Sequence, residues 1–195
     1  MNIKQVKDAT LVGQIIVCEK EHIYKGDKYI RYKKKLQLQY DPSFDSELKK
    51  KKLSIVYIIT VNGEMRKIGQ TSGKGGIHGC FTFYCIAGFD DPSQRSFGIN
   101  YLMREEIKRG NKVEVYMKYL DLVSVSAPGL FGHRYKKAAI SAKVLEEACL
   151  EDYQMIHGAN SFPPWNFQEK GSSIFEEVRR EYGKYIIKRA QRRIK

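Results

Sequence analysis

The run Ser54-Ile-Val-Tyr-Ile-Ile-Thr-Val61 is dense in β-branched side chains and predicts a strand. Asn62-Gly63 follows, a strong signal for a hairpin turn, and Glu64-Met-Arg-Lys-Ile-Gly69 reads as the return strand. Beyond it the chain is glycine-rich from Gln70 to Gly79, and Gly73-Lys74-Gly75-Gly76 reads as a flexible loop. Ser93 to Arg109 reads as a helix after Pro92, closed by Gly110. Lys112 to Tyr119 alternates as a third strand, and Ser124 to Arg134, with Pro128, Gly129 and Gly132, reads as a loop. Ala138 to Ile156 predicts a helix ending at His157-Gly158, Asn160 to Trp165 an irregular segment, and Ser173 opens a last helix. The order β-β-α-β-α-α specifies an α/β (α+β) fold: a small three-stranded antiparallel sheet flanked by helices, elaborated at both ends.

Three regions follow from this pattern. Residues 1–52 form an N-terminal arm or subdomain, 53–168 the core, and 169–195 a basic C-terminal helix. In the arm, Leu11 to Cys18 is apolar enough for a strand, and the segment from His22 to Tyr32 alternates around Gly26-Asp27 as a hairpin. That alternation either sets Tyr24, Tyr29 and Tyr32 beside lysines on DNA or belongs to an ordinary half-buried hairpin.

Composition narrows the function. The 195 residues carry a formal net charge of +13 and a pI near 9.5, which favours a polyanionic partner. At 42% hydrophobic and 29% charged the chain is globular rather than disordered. No stretch approaches the ~18 apolar residues of a membrane helix, and Met1 to Thr10 lacks the apolar core of a secretory signal. Cys18, Cys80, Cys85 and Cys149 lack CxxC spacing and read as free thiols of a reducing cytoplasm. The four histidines are equally dispersed, against a zinc site.

Ile55-Val-Tyr57, followed ten residues later by Lys67-Ile-Gly69, resembles the paired motifs of the GIY-YIG nuclease superfamily. The helix carrying Glu146 and the segment Pro163-Pro-Trp-Asn166 fit that family's acidic helix and C-terminal asparagine. Lysine in place of the second motif's tyrosine, with the Pro-x-Trp-Asn ending, most resembles its type II restriction endonucleases. The resemblance spans roughly Ile55 to Asn166. It implies a sequence-specific double-stranded DNA endonuclease, acting through one Mg²⁺ (or Mn²⁺) and working as a homodimer on palindromic sites. Tyr57 would be the base, Lys67 its activator, Glu146 the metal ligand and Asn166 a supporting residue.

The hairpin sets a geometric condition. A two-residue Asn62-Gly63 turn pairs Tyr57 with Ile68 and turns Lys67 to the opposite face. A three-residue Val61-Asn62-Gly63 loop pairs Tyr57 with Lys67, the arrangement that function requires. An ammonium group there would lower the phenol pKa from about 10. Helix periodicity chooses between adjacent carboxylates: Glu146 shares a partly apolar face with Leu150 and Tyr153, whereas Glu147 lies with Glu151 and Gln154 toward solvent. One such carboxylate suffices for Mg²⁺ when water and phosphate supply the other ligands.

The family's phosphate-contacting arginine is missing, because Cys80 stands where it is expected. Arg95 is the first replacement and His78 the next, with Lys74 close by. Gly73-Lys74-Gly75-Gly76 lacks the spacing and context of a Walker phosphate loop. DNA contacts are expected from Lys74, from Arg134, Lys136 and Lys137, and from Arg189 and Arg192 on the last helix. A non-catalytic DNA-binding protein on the same scaffold, or a homing or repair nuclease, are the alternatives.

Overall fold

The computed structural model describes residues 1–26, 29–87, 92–166 and 173–193, with the side chains of 19–26, 29–34, 173–175 and 192–193 left aside. The expected side-chain contacts of Tyr24, Tyr29, Tyr32 and Arg192 therefore lie outside the described residues. The strands are β1 (Thr10–Gly26), β2 (Tyr29–Tyr40), β3 (Ser54–Val61), β4 (Glu64–Thr71), β5 (Val113–Leu120), β6 (Val123–Gly129) and β7 (Gly132–Ala138). The helices are α1 (Gly76–Ile86), α2 (Gln94–Lys108), α3 (Ala142–His157) and α4 (Ser173–Arg193).

The main sheet is antiparallel, in the order β2-β1-β5-β3-β4, with five strands rather than the three expected. The N-terminal hairpin supplies the other two, because β1 pairs with β5 from Thr10↔Met117 to Ile15↔Val113. The segment 1–52 thus contributes two strands to the main sheet. Every residue of β3 is buried, so its unbroken apolar run reflects burial on both faces. Ile55, Tyr57, Ile59 and Val61 point to one face, where Ile77 and Phe81 of α1 and Ile99 and Met103 of α2 complete a core. Val56 and Ile58 point to the other, with Met65 and Ile68 of β4 and Tyr153 of α3.

Three expected boundaries change. The glycine-rich stretch includes the start of a helix, since α1 begins at Gly76 (φ 55°). Ser124 to Arg134 is not a loop: β6 and β7 form a separate ribbon, paired from Val123↔Ala138 to Gly129↔Gly132. The glycines flank its turn instead of breaking a coil. β7 takes Ala138, the residue expected to open the next helix, and α3 starts at Ala142, with Ser141 accepting from the Lys143 amide as its N-cap.

The N-terminus closes one edge. The Met65 amide donates to the Met1 carbonyl and the Ile3 amide to the Gly63 carbonyl, covering the start of β4. No helix among the described residues is long and apolar enough to cross a membrane.

Candidate active site

The β3–β4 turn is the two-residue form, with φ of 51° at Asn62 and 80° at Gly63 and Val61 opposite Glu64. On that turn alone Lys67 would face away from Tyr57. The expected three-residue loop is absent, and a β-bulge corrects the register in its place. Thr60 pairs with Met65 and Ile59 with Lys67, leaving Arg66 as the extra residue. The slip of one residue returns Lys67 to the Tyr57 face, two pairs away along the strand. Tyr57 itself lies opposite Gly69.

Gly69 is there for space. A Cβ at this position would stand 2.8 Å from Tyr57 Cε2 and closer still to the phenol Cζ and oxygen. Gly69→Ala is therefore expected to destabilise the fold by about 2–3 kcal/mol, as overpacked core positions do. Urea denaturation measures it. In a double-mutant cycle with Tyr57→Leu the two changes should couple by at least ~1 kcal/mol; simple additivity would mean the ring does not need the glycine.

The Tyr57 hydroxyl shares a hydrogen bond of 2.7 Å with the Tyr84 hydroxyl of α1. Sequence reasoning gave Tyr84 no role, because its meeting with Tyr57 depends on how α1 docks on the sheet, which no local pattern reports. A buried clamp sets α2 against α1: the Asn100 side-chain amide donates to the Tyr84 and Cys85 carbonyls at 2.7 and 3.0 Å. Arg104 Nε holds the Asn100 oxygen at 2.9 Å. This docking brings Arg95, in the first turn of α2, beside the two phenols. Its Nε is buried without a hydrogen-bond partner.

Asn166 works on the backbone. Its side-chain oxygen accepts from the Ile68 amide at 3.0 Å and its side-chain nitrogen donates to the Ile68 carbonyl at 2.9 Å. With the Trp165 amide donating to the Arg66 carbonyl at 2.7 Å, the segment serves as a substitute strand along edge β4 and fixes the bulge. Trp165 is buried, as a core residue should be.

Electrostatics link the remaining groups. Lys67 is only 4% exposed. Burial, then the Arg95 guanidinium, push its pKa down to about 8, against opposing pulls from Glu146 and Cys80. Burial raises the Glu146 carboxyl, while Lys67 and Arg95 act to lower it. For both members of this pair desolvation outweighs their attraction, and they form no direct ion pair among the described residues. Arg95 is held above its usual value despite partial burial, by Tyr84, Tyr57 and Glu146. Burial pushes Cys80 up to about 12, so its thiol stays neutral.

The Tyr57 phenol goes the opposite way from the expectation. Burial, then the neighbouring Tyr84 and Cys80, raise it well above 10, and Arg95 only partly opposes this. A phenol with no exposed surface cannot easily become an anion, whatever cation stands nearby.

Of the expected residues, Tyr57, Lys67, Arg95 and Glu146 come together, and Asn166 braces the strand that carries Lys67. His78 does not join them: its Nδ1 hydrogen-bonds the Tyr40 hydroxyl at 3.0 Å and its ring stacks on that of Tyr40. Glu147 is exposed and lies 3.6 Å from Lys143, as helix periodicity implied. Lys74 is exposed before α1, while Arg134, Lys136 and Lys137 are exposed on β7. Arg189 is half-buried on α4, a helix docked onto α2 through Val178 and the Tyr101–Glu177 hydrogen bond of 2.9 Å. None of the four cysteines forms a disulfide.

No family model and no curated protein matches the chain. Among solved structures, a mutant of bacteriophage T4 EndoII is similar at a TM-score of 0.46 and 16% identity, over 83% of this chain and 99% of that one. Restriction endonuclease HPY188I in complex with product DNA is similar at a TM-score of 0.39 and 19% identity, over 84% of each chain.

Proposed function

We propose that this chain is a metal-dependent endonuclease for double-stranded DNA, built on the GIY-YIG plan and acting as a type II restriction enzyme. The observation that carries the reading is the convergence of Lys67, Arg95, Glu146 and the Tyr57–Tyr84 pair on one group of elements in a chain of net charge +13. Arg95 takes the place of the arginine displaced by Cys80, and its partly exposed guanidinium is the cation a scissile phosphate would take.

Among the described residues no three His, Cys, Asp or Glu side chains gather as a metal cage. Glu146 alone fits a Mg²⁺ (or Mn²⁺) ion that arrives with phosphate and keeps most of its water. Such an ion would stabilise the leaving oxygen. Lys67, neutral in a large fraction of molecules near pH 8, is the proton acceptor for the attacking water. The Tyr57 and Tyr84 hydroxyls stay protonated, and the buried pair positions the neighbouring Arg95 instead of meeting the substrate. Two copies of the chain would match the two-fold symmetry of a palindromic site.

Plasmid cleavage in Mg²⁺ and in EDTA tests this. Discrete fragments from unmodified duplex are expected only with the metal, and Arg95→Ala should lower the rate at least about 100-fold, as loss of one charge-stabilising donor does. DNA binding without any metal-dependent cutting would leave a non-catalytic scaffold instead.

A further inference from the structure

The β6–β7 ribbon presents a feature that cleavage does not use. Its turn is Leu130-Phe131, and these two side chains are 95% and 92% exposed, with Tyr135 at 84%. Nearly every other residue of the ribbon is exposed as well. A two-stranded ribbon gains little stability on its own, and large apolar groups at its tip would ordinarily be unfavourable. The charge on the ribbon is one-sided. Arg134, Lys136 and Lys137 are basic, and residues 123–138 contain no aspartate or glutamate.

Register distributes those charges over both faces: Arg134 and Lys136 lie opposite Ala127 and Val125, and Lys137 opposite Ser124. A ribbon cationic on both faces suits a groove walled by phosphates on two sides, and a two-stranded ribbon fits a DNA groove. Leucine and phenylalanine are the side chains that wedge between base pairs. The base of the ribbon is tied to the candidate site. Ile140, just past β7, accepts a hydrogen bond from the Ser54 hydroxyl at the start of β3, and α3 with Glu146 begins two residues later.

We infer that the ribbon is a DNA wedge: Arg134, Lys136 and Lys137 grip the phosphates of one groove while Leu130 and Phe131 insert between neighbouring base pairs and unstack them. The inference rests on duplex DNA as the partner proposed above.

The test uses the full chain, Ca²⁺ in place of Mg²⁺, and short duplexes carrying 2-aminopurine at successive positions. Wild type should raise the fluorescence at one base step. The exposed-tip variant L130S/F131S should lose that rise and bind about 10- to 100-fold more weakly, the effect of removing a base-stacking contact. R134A/K136A should keep the rise at saturating protein while its salt dependence falls by about 1 per residue in log–log slope. Circular dichroism confirms that the variants fold. The inference is overturned if L130S/F131S unstacks DNA like wild type. It is also overturned if L130S/F131S turns a dimer into a monomer with unstacking unchanged, which would make the tip a contact between copies. Selective capture of wild type by anionic vesicles over duplex would overturn it as well. None of these readings needs cleavage. Unstacking without cutting sinks the nuclease and keeps the wedge, whereas cutting with the tip dispensable does the reverse.

Discussion

Lys67→Met is expected to lower cleavage roughly 10²- to 10⁴-fold, the range for losing a positioned acid–base group, while making the protein harder to unfold. The two effects have one cause. A lysine that is 4% exposed keeps a charge the fold disfavours, as its pKa of about 8 against an ordinary 10.5 records. Methionine fills nearly the same volume without the charge. Near pH 7 the variant should be more stable by about 1–3 kcal/mol, or roughly 2–4 °C in Tm per kcal/mol for a chain of this size. An unchanged or lowered Tm would mean that the ammonium group is held by contacts stronger than its desolvation.

The sign with pH follows from the same shift. Below about pH 8 the amine is protonated in both folded and unfolded chains, and burial of its charge costs the fold in full. Between about 8 and 10.5 the folded protein releases the proton and the unfolded chain retains it, so wild-type stability rises with pH. The gap between the two values corresponds to roughly 3 kcal/mol. The advantage of Lys67→Met should therefore shrink across that window in denaturation experiments. Cleavage should follow the neutral amine, with kcat/KM increasing as pH rises to about 8 and levelling beyond it. A rate that instead falls above pH 8 would assign the working form to the ammonium ion.

The sheet core and the site were legible to different depths. The central hairpin could be read because β-branched density and Asn62-Gly63 are local signals. Its register could not. The bulge at Arg66 depends on Trp165 and Asn166 holding β4 from about a hundred residues away, and no local pattern encodes that grip. Glu146 was separable from Glu147 because helix periodicity reports which face is buried. Arg95 was harder, since its place beside Tyr57 and Tyr84 depends on the Asn100 clamp between α1 and α2. The ribbon was lost to its own glycines: Pro128, Gly129 and Gly132 signal a loop, and the strand alternation on either side is short and wholly exposed.

Glu146→Gln is expected to reduce Mg²⁺-dependent cleavage on the order of 10³-fold, the rate equivalent of about 4 kcal/mol, while DNA binding is kept or tightened. The amide preserves shape and hydrogen-bonding capacity but removes the only charge in the group that could hold a cation. It also removes a negative charge from the surface that must accept phosphate, so binding measured by fluorescence anisotropy should not weaken. Two controls separate this from a structural effect. Glu147→Gln, one residue along the helix but exposed beside Lys143, should cleave like wild type. In Glu146→Gln, Lys67 loses the carboxylate that pulls its pKa upward, so the break in the residual rate should move below pH 8. Full activity in Glu146→Gln would remove the metal from the mechanism. Equal losses in both glutamate variants would mean that α3 contributes net charge rather than a positioned ligand.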